Sequence, residues 1–126
     1  MEKYSKNSTI IEHKGKKIAY LDYRNLKKPD DFKAKVGETI ERTNYYYDNN
    51  IKDILVLTDL TGSFIYGDAP KYLKQSTKLG KPFVKKSAVI GLSGAKRVIL
   101  NMINVFSGYQ TKAFSSIEEA KDWLAK

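Results

Sequence analysis

The run Ile54-Leu55-Val56-Leu57-Thr58-Asp59 constrains this chain more than any other stretch. It is short and continuous, and it is rich in strand formers with no apolar/polar alternation. A strand of that kind is covered on both faces, as the centre of a parallel sheet is, whereas a half-solvated strand alternates. Two covered faces call for helices in the flanking sequence. Before the strand, Lys27-Lys28-Pro29-Asp30-Asp31 reads as a helix start, with proline in the first turn and acids at the positive end of the dipole. Phe32, Val36, Ile40 and Tyr47 then recur on one stripe, with Thr43 or Asn44 between them. Tyr47 is therefore expected in the core, with Tyr45 and Tyr46 half-exposed. Gly37 weakens the helix by roughly 1 kcal/mol relative to alanine, and Asp48-Asn49-Asn50 ends it.

After the strand, Thr61-Gly62-Ser63 forms a loop, and Asp68-Ala69-Pro70 opens a second helix carrying Ala69, Tyr72, Leu73, Ser76 and Leu79. Gly80, with Pro82 beyond it, stops that helix. Ser87–Leu92 is a further apolar strand. Ser93-Gly94 turns into a third helix from Ala95 to Phe106, ended by Gly108, and Thr111–Phe114 is the last strand. Ser115 through Glu118 fits a capping box that launches a final helix with Ala120, Trp123 and Leu124. At the other end, Thr9–His13 and Lys17–Asp22 flank Lys14-Gly15-Lys16 as a β-hairpin. Ile18, Tyr20 and Asp22 share one face of its second strand, and Ala19, Leu21 and Tyr23 share the other. The order is β-β-α-β-α-β-α-β-α. Strands alternating with helices imply right-handed crossovers, so the fold class is a single α/β domain over 1–126, with a mainly parallel sheet and helices packed on it.

Composition narrows the function classes. At 126 residues the chain fits one compact domain that needs no disulfide or metal to fold. It has no cysteine, which excludes a disulfide scaffold, thiol catalysis, Cys-ligated zinc and iron–sulfur clusters. No apolar run reaches the roughly 18 residues of a membrane span. The polar start MEKYSKNSTI has no signal-peptide character, so a cytoplasmic location is expected.

The net charge of +9 is unevenly spread. Residues 1–28 hold eight Lys/Arg against three acids, residues 29–68 hold four against eight, and residues 69–117 hold nine Lys/Arg and no acid. Such asymmetry can steer an anionic partner, although spaced lysines also serve simply to hydrate a surface. Nucleic-acid binding is not expected. Tyr45-Tyr46-Tyr47 are consecutive on a helix, point about 100° apart and cannot form one stacking platform.

Thr58, Asp59, Thr61, Gly62 and Ser63 lie at the C-terminal end of a central strand, where open α/β sheets bind ligands. An aspartate there also caps turns through its own backbone, so both readings stand. Ser93-Gly94-Ala95 opens a helix whose free N–H groups suit a phosphate or carboxylate, with Lys96 and Arg97 one step inside. Gly91 and Gly94 lack the third glycine of a dinucleotide fingerprint, and no cofactor is expected. The third helix is apolar nearly all round. Val98, Ile99, Leu100, Met102, Ile103, Val105 and Phe106 leave only Asn101 and Asn104 polar. Its outer side is expected to meet a lipid, an apolar ligand or a second subunit. Lys96, Arg97 and Lys112 would suit an anionic headgroup. His13, the one histidine, has no neighbouring ligand and is expected to be solvated; no metal site is expected.

In this order, several segments resemble the STAS-like (SpoIIAA-like) family of small bacterial domains. They are Ile18–Leu26 (IAYLDYRNL), Leu55–Gly62 (LVLTDLTG), Lys81–Val84 with Ala88–Leu100 (KPFV…AVIGLSGAKRVIL), Phe106-Ser107-Gly108 and a closing E-E-A-x-x-W-L. The likeness runs from about Ile10 to Leu124. It implies a sheet backed by helices, as in anti-sigma-factor antagonists, with kinship to CRAL-TRIO lipid-binding domains and no established catalysis. In such antagonists a serine at the start of the helix after the D-L-S-G strand is phosphorylated. Laying Asp59-Leu60-Thr61-Gly62 on that motif places Asp68 near the phosphorylated position. Either the loop is out of register there, or a carboxylate stands where a phosphate would go. The expected function is a non-catalytic regulatory or protein-interaction module, working through a protein partner or a homodimer. The alternative is a binder or sensor of an apolar or anionic-lipid ligand.

Overall fold

The computed structural model describes residues 9–92 and 111–126. Its strands are β1 (Thr9–His13), β2 (Lys16–Asp22), β3 (Ile54–Asp59), β4 (Val84–Ile90) and β5 (Thr111–Phe114). They form one sheet in sequence order; β1 pairs antiparallel to β2, and every later pair is parallel. The helices are α1 (Pro29–Asp48), α2 (Ala69–Gly80) and α3 (Ile117–Ala125). The helix expected over 95–106 lies outside the described residues.

Alternation along each strand sorts the core into two layers. Ile18, Leu55, Leu57, Ala88 and Ile90 pack with Ala120 and Leu124 of α3. On the opposite face, Leu21, Tyr23 and Val89 pack with Phe32 and Val36 of α1 and Leu73 of α2. The β2 face assignment thus holds: Ile18 and Tyr20 point to α3, and Ala19, Leu21 and Tyr23 point to the other layer. Lys14 and Gly15 both carry positive φ (50° and 78°), as the tightest hairpin turns require.

Several expectations are corrected by tertiary packing. At the end of α1 it is Tyr46 that is buried, against Ala19, Ile54 and Phe83, while Tyr47 is 75% exposed. The sheet twists beneath the helix, so the buried row shifts from Phe32 and Val36 to Arg42 and Tyr46, which are four residues apart and share a side. Leu79, expected on the apolar side of α2, is exposed. The fourth strand starts at Val84 rather than Ser87, with a register shift opposite Ile54/Leu55. Its polar start is tolerated because Lys86 Nζ donates to Trp123 O (3.0 Å) and lies over the Trp123 ring. The last helix is capped one residue later than expected, with Ser116 Oγ accepting from Glu119 N at 3.2 Å. His13 is not simply solvated: its Nε2 lies 2.6 Å from Asp122 Oδ1, which also pairs with Lys14 at 3.2 Å. These hydrogen bonds, His13's first, hold the Asp122 carboxyl below the usual carboxylate range. The hairpin is thereby clasped to α3.

Candidate functional site

The carboxyl ends of β2 and β3 lead into two loops, 23–28 and 60–68, that are stitched to each other. Tyr23 N donates to Asp59 O (2.9 Å), Asn25 N to Thr61 O (3.0 Å) and Phe64 N to Leu26 O (2.9 Å). Ser63 is fully buried between them; its Oγ accepts from Leu26 N at 2.9 Å and donates to Tyr23 O. Two glycines make this closeness possible. A Cβ on Gly62 (φ +76°) would lie 2.3 Å from Asn25 Oδ1, and one on Gly91 (φ +86°) 2.3 Å from Thr61 N. The left-handed backbone favours glycine at both, and at Gly91, where the clash would be with backbone, no side chain fits.

Asp59 is buried, and both of its oxygens are engaged. Oδ1 accepts from Thr61 N (3.0 Å), the self-capping turn expected of an aspartate in this place. Oδ2 accepts from Tyr20 OH at 2.6 Å. Burial, and then the bond to Asp59, push the Tyr20 phenol well above its ordinary pKa. The Tyr20 contribution was not legible in the sequence, because it comes from a residue 39 positions away.

Of the sequence-derived candidates, Thr58, Asp59, Thr61, Gly62 and Ser63 form one continuous turn, with Thr61 and Gly62 exposed. Asp68 stands exposed just before α2 and makes no side-chain cap bond. Lys96, Arg97, Ile99, Ile103 and Phe106 lie outside the described residues. The structure adds residues that sequence reasoning passed over. Phe64 and Tyr66, on the same loop, are 56% and 52% exposed. Lys27 bridges the two loops, donating to Gly62 O at 2.8 Å with its ammonium 4.4 Å from the Phe64 ring centroid. Two aromatics inside a loop were the available signal.

A second feature lies below, where α1 and α2 cover the sheet. A cavity of about 90 Å³ runs between Leu21, Val56 and Val89 of the strands and Arg42, Thr43 and Ser76 of the helices. Thr58 is on its wall and so belongs to both features. Tyr23, buried, donates to or accepts from Thr39 Oγ1 at 2.6 Å, and burial pushes its phenol up to about 12. Arg42 is 5% exposed. Burial pushes its guanidinium below the ordinary arginine value, while Tyr46, Tyr23 and Glu38 act the other way.

Among the described residues, no group of three His, Asp or Glu side chains is placed to hold a metal ion. No described helix is long and apolar enough to cross a membrane.

No family model matches the chain, and no curated protein matches it. Its backbone is similar to the crystal structure of an uncharacterized protein from the DUF3478 family with a SpoIIAA-like fold, from Shewanella loihica PV-4. The two share 21% sequence identity with a TM-score of 0.66, over 98% of this chain and 97% of that one. At such identity the likeness speaks to the fold alone. The hairpin-led, otherwise parallel five-stranded sheet with helices on both faces is a SpoIIAA-like fold.

Proposed function

We propose that this chain is a non-catalytic, STAS-like regulatory module that binds a protein partner through the loop between β3 and α2. The observation that carries the reading is the pair Phe64 and Tyr66, each more than half exposed on a loop whose backbone is braced from beneath. Aromatic side chains on a pre-ordered backbone lose little entropy on association and dominate binding energy in protein interfaces. Lys27, held over Phe64, adds a cation at the edge of the patch. Asp68 adds an exposed carboxylate on the same loop, near the position that the STAS-like resemblance gives to a phosphorylated serine. The non-catalytic part of the reading draws support from Asp59, the acid best positioned for chemistry, whose two oxygens are committed to Tyr20 and Thr61.

A photo-cross-linking residue at position 64, compared with one at position 47 on the far end of α1, tests the proposal in extracts of the native host. The expected result is a discrete adduct with a second protein from position 64 that Tyr66→Asp abolishes. Identical adducts from both positions, or none from position 64, would rule the loop out, and an adduct of the chain with itself would replace the partner by a homodimer.

A second reading, a binder or sensor of an apolar or anionic-lipid ligand, is favoured by the cavity beneath α1 and α2.

A further inference from the structure

The two ends of the sheet differ in charge. At the amino ends of the parallel strands lie the hairpin turn before β2, the segment joining α1 to β3 and the segment joining α2 to β4. Ile54 N donates to Phe83 O (2.8 Å), which ties the second of these to the third. Asp122 draws the last turn of α3 to the hairpin. Residues 12–17, 48–53, 78–86 and 122–126 together carry nine lysines against four side-chain acids. At the opposite end, residues 22–31, 59–71 and 115–119 carry four cations against seven acids. Three helices also finish at the basic end, and each C-terminus adds about half a negative charge, which leaves the excess positive. Lys86 is turned to that use, donating to Trp123 O and Lys126 O. Lys16, Lys17, Lys52, Lys78, Lys81 and Lys85 are exposed, and none of the six forms an ion pair among the described residues.

The basic end also carries apolar surface. Tyr47 and Leu79, two of the four large hydrophobic side chains exposed among the described residues, both stand there. The Tyr47 ring meets Phe83 edge-on, with centroids 6.4 Å apart, and Phe83 N bonds back to Gly80 O, one residue past Leu79. We propose that this end of the molecule docks on an anionic lipid surface, with the lysines over the headgroups and Tyr47 and Leu79 entering the boundary with the acyl chains. Cations spread over three separate segments match a diffuse layer of anions, and each adds to the attraction. Tyrosine suits the headgroup level, where one end is wet and the other apolar. An aliphatic leucine gains by entering that boundary but offers no ring on which a base could stack. Lysine is depleted in protein interfaces, which places a membrane ahead of an acidic protein as the occupant. The surface lies across the sheet from Phe64 and Tyr66 and does not depend on their role.

The test is co-sedimentation of the full chain with vesicles of phosphatidylcholine, alone or with about one-third phosphatidylglycerol. The anionic vesicles should bind about tenfold or more tightly than the neutral ones, and high salt should release the protein. Lys17→Glu combined with Lys81→Glu should weaken binding about tenfold. Tyr47→Ser combined with Leu79→Ser should weaken it several-fold, and Lys71→Glu, at the opposite end, should leave it unchanged. Thermal melts of each variant separate lost binding from lost fold. Equal binding to both vesicles, or none to either, would overturn the proposal. Anionic binding that survives the double charge reversal would overturn it as well, by moving the contact elsewhere on the chain. Tighter binding to a DNA duplex than to the anionic vesicles, untouched by the Tyr47 and Leu79 changes, would replace the membrane by a nucleic acid.

Discussion

Beneath α3 the sheet presents Ile18, Leu57 and Ala88, which meet Ala120 and Leu124, all at or near zero exposure. Beneath α1 and α2 the same strands present Val56, Thr58 and Ser87, and the covering helices answer with Thr43, Arg42 and Ser76 around open volume. Each strand contributes alternate residues to the two layers, so one stretch of sequence builds a dry face and a hollow, polar-flecked one. Close packing stabilises the first. The second gives up part of that stabilisation, the pattern expected where a domain keeps room for a ligand.

The contrast is open to direct attack by chemical denaturation, beginning with the largest effect. Leu57→Ala should destabilise by about 3 kcal/mol, because it empties a closed layer, whereas Val56→Ala, already beside a void, should cost about 1 kcal/mol. Equal losses per deleted carbon would show that the two layers are equally packed. Small-to-large changes should separate the faces by sign. Ala88→Val on the dry side should overpack and cost about 1–3 kcal/mol, while Thr58→Ile should fill the cavity and stabilise by about 0.5 kcal/mol. Ser63→Ala tests the seam where the loops meet; losing the hydroxyl that bridges Leu26 N and Tyr23 O should cost about 1–2 kcal/mol and loosen both loops in hydrogen exchange.

The smallest effect concerns the hairpin clasp. The folded Asp122 carboxyl lies below its ordinary pKa, so it adds stability above the ordinary carboxylate range and loses it as pH falls through the lowered value. Asp122→Asn should therefore lower Tm at pH 7 and leave it unchanged near the acid end of that transition. A Tm difference independent of pH would remove the ion pair from the account.

Local signals carried much of the fold. Pro29 and Gly80 bound their helices as read, Ile54–Asp59 is the buried strand between them, and the β2 faces alternate as expected. The same sequence placed Tyr47 inside, because extending one stripe assumes a flat surface beneath the helix, and the twisted sheet buries Tyr46 and Arg42 instead. Asp59 was readable as turn or site; its turn bond to Thr61 N is there, and Tyr20 on a neighbouring strand adds a partner that the sequence did not show.

Periodicity, caps and breakers act over a few residues, so the chain alone determined its elements and their order. Which polar groups are buried, and what faces them, depends on contacts between residues far apart in sequence. Ser63 bonds residues 37 and 40 positions away, His13 meets Asp122 across 109, and Arg42 and Thr58 share a wall only once helix and sheet are stacked. The cavity, the clasp and the braced loop were decided by tertiary structure, because each depends on a geometry that no local stretch encodes.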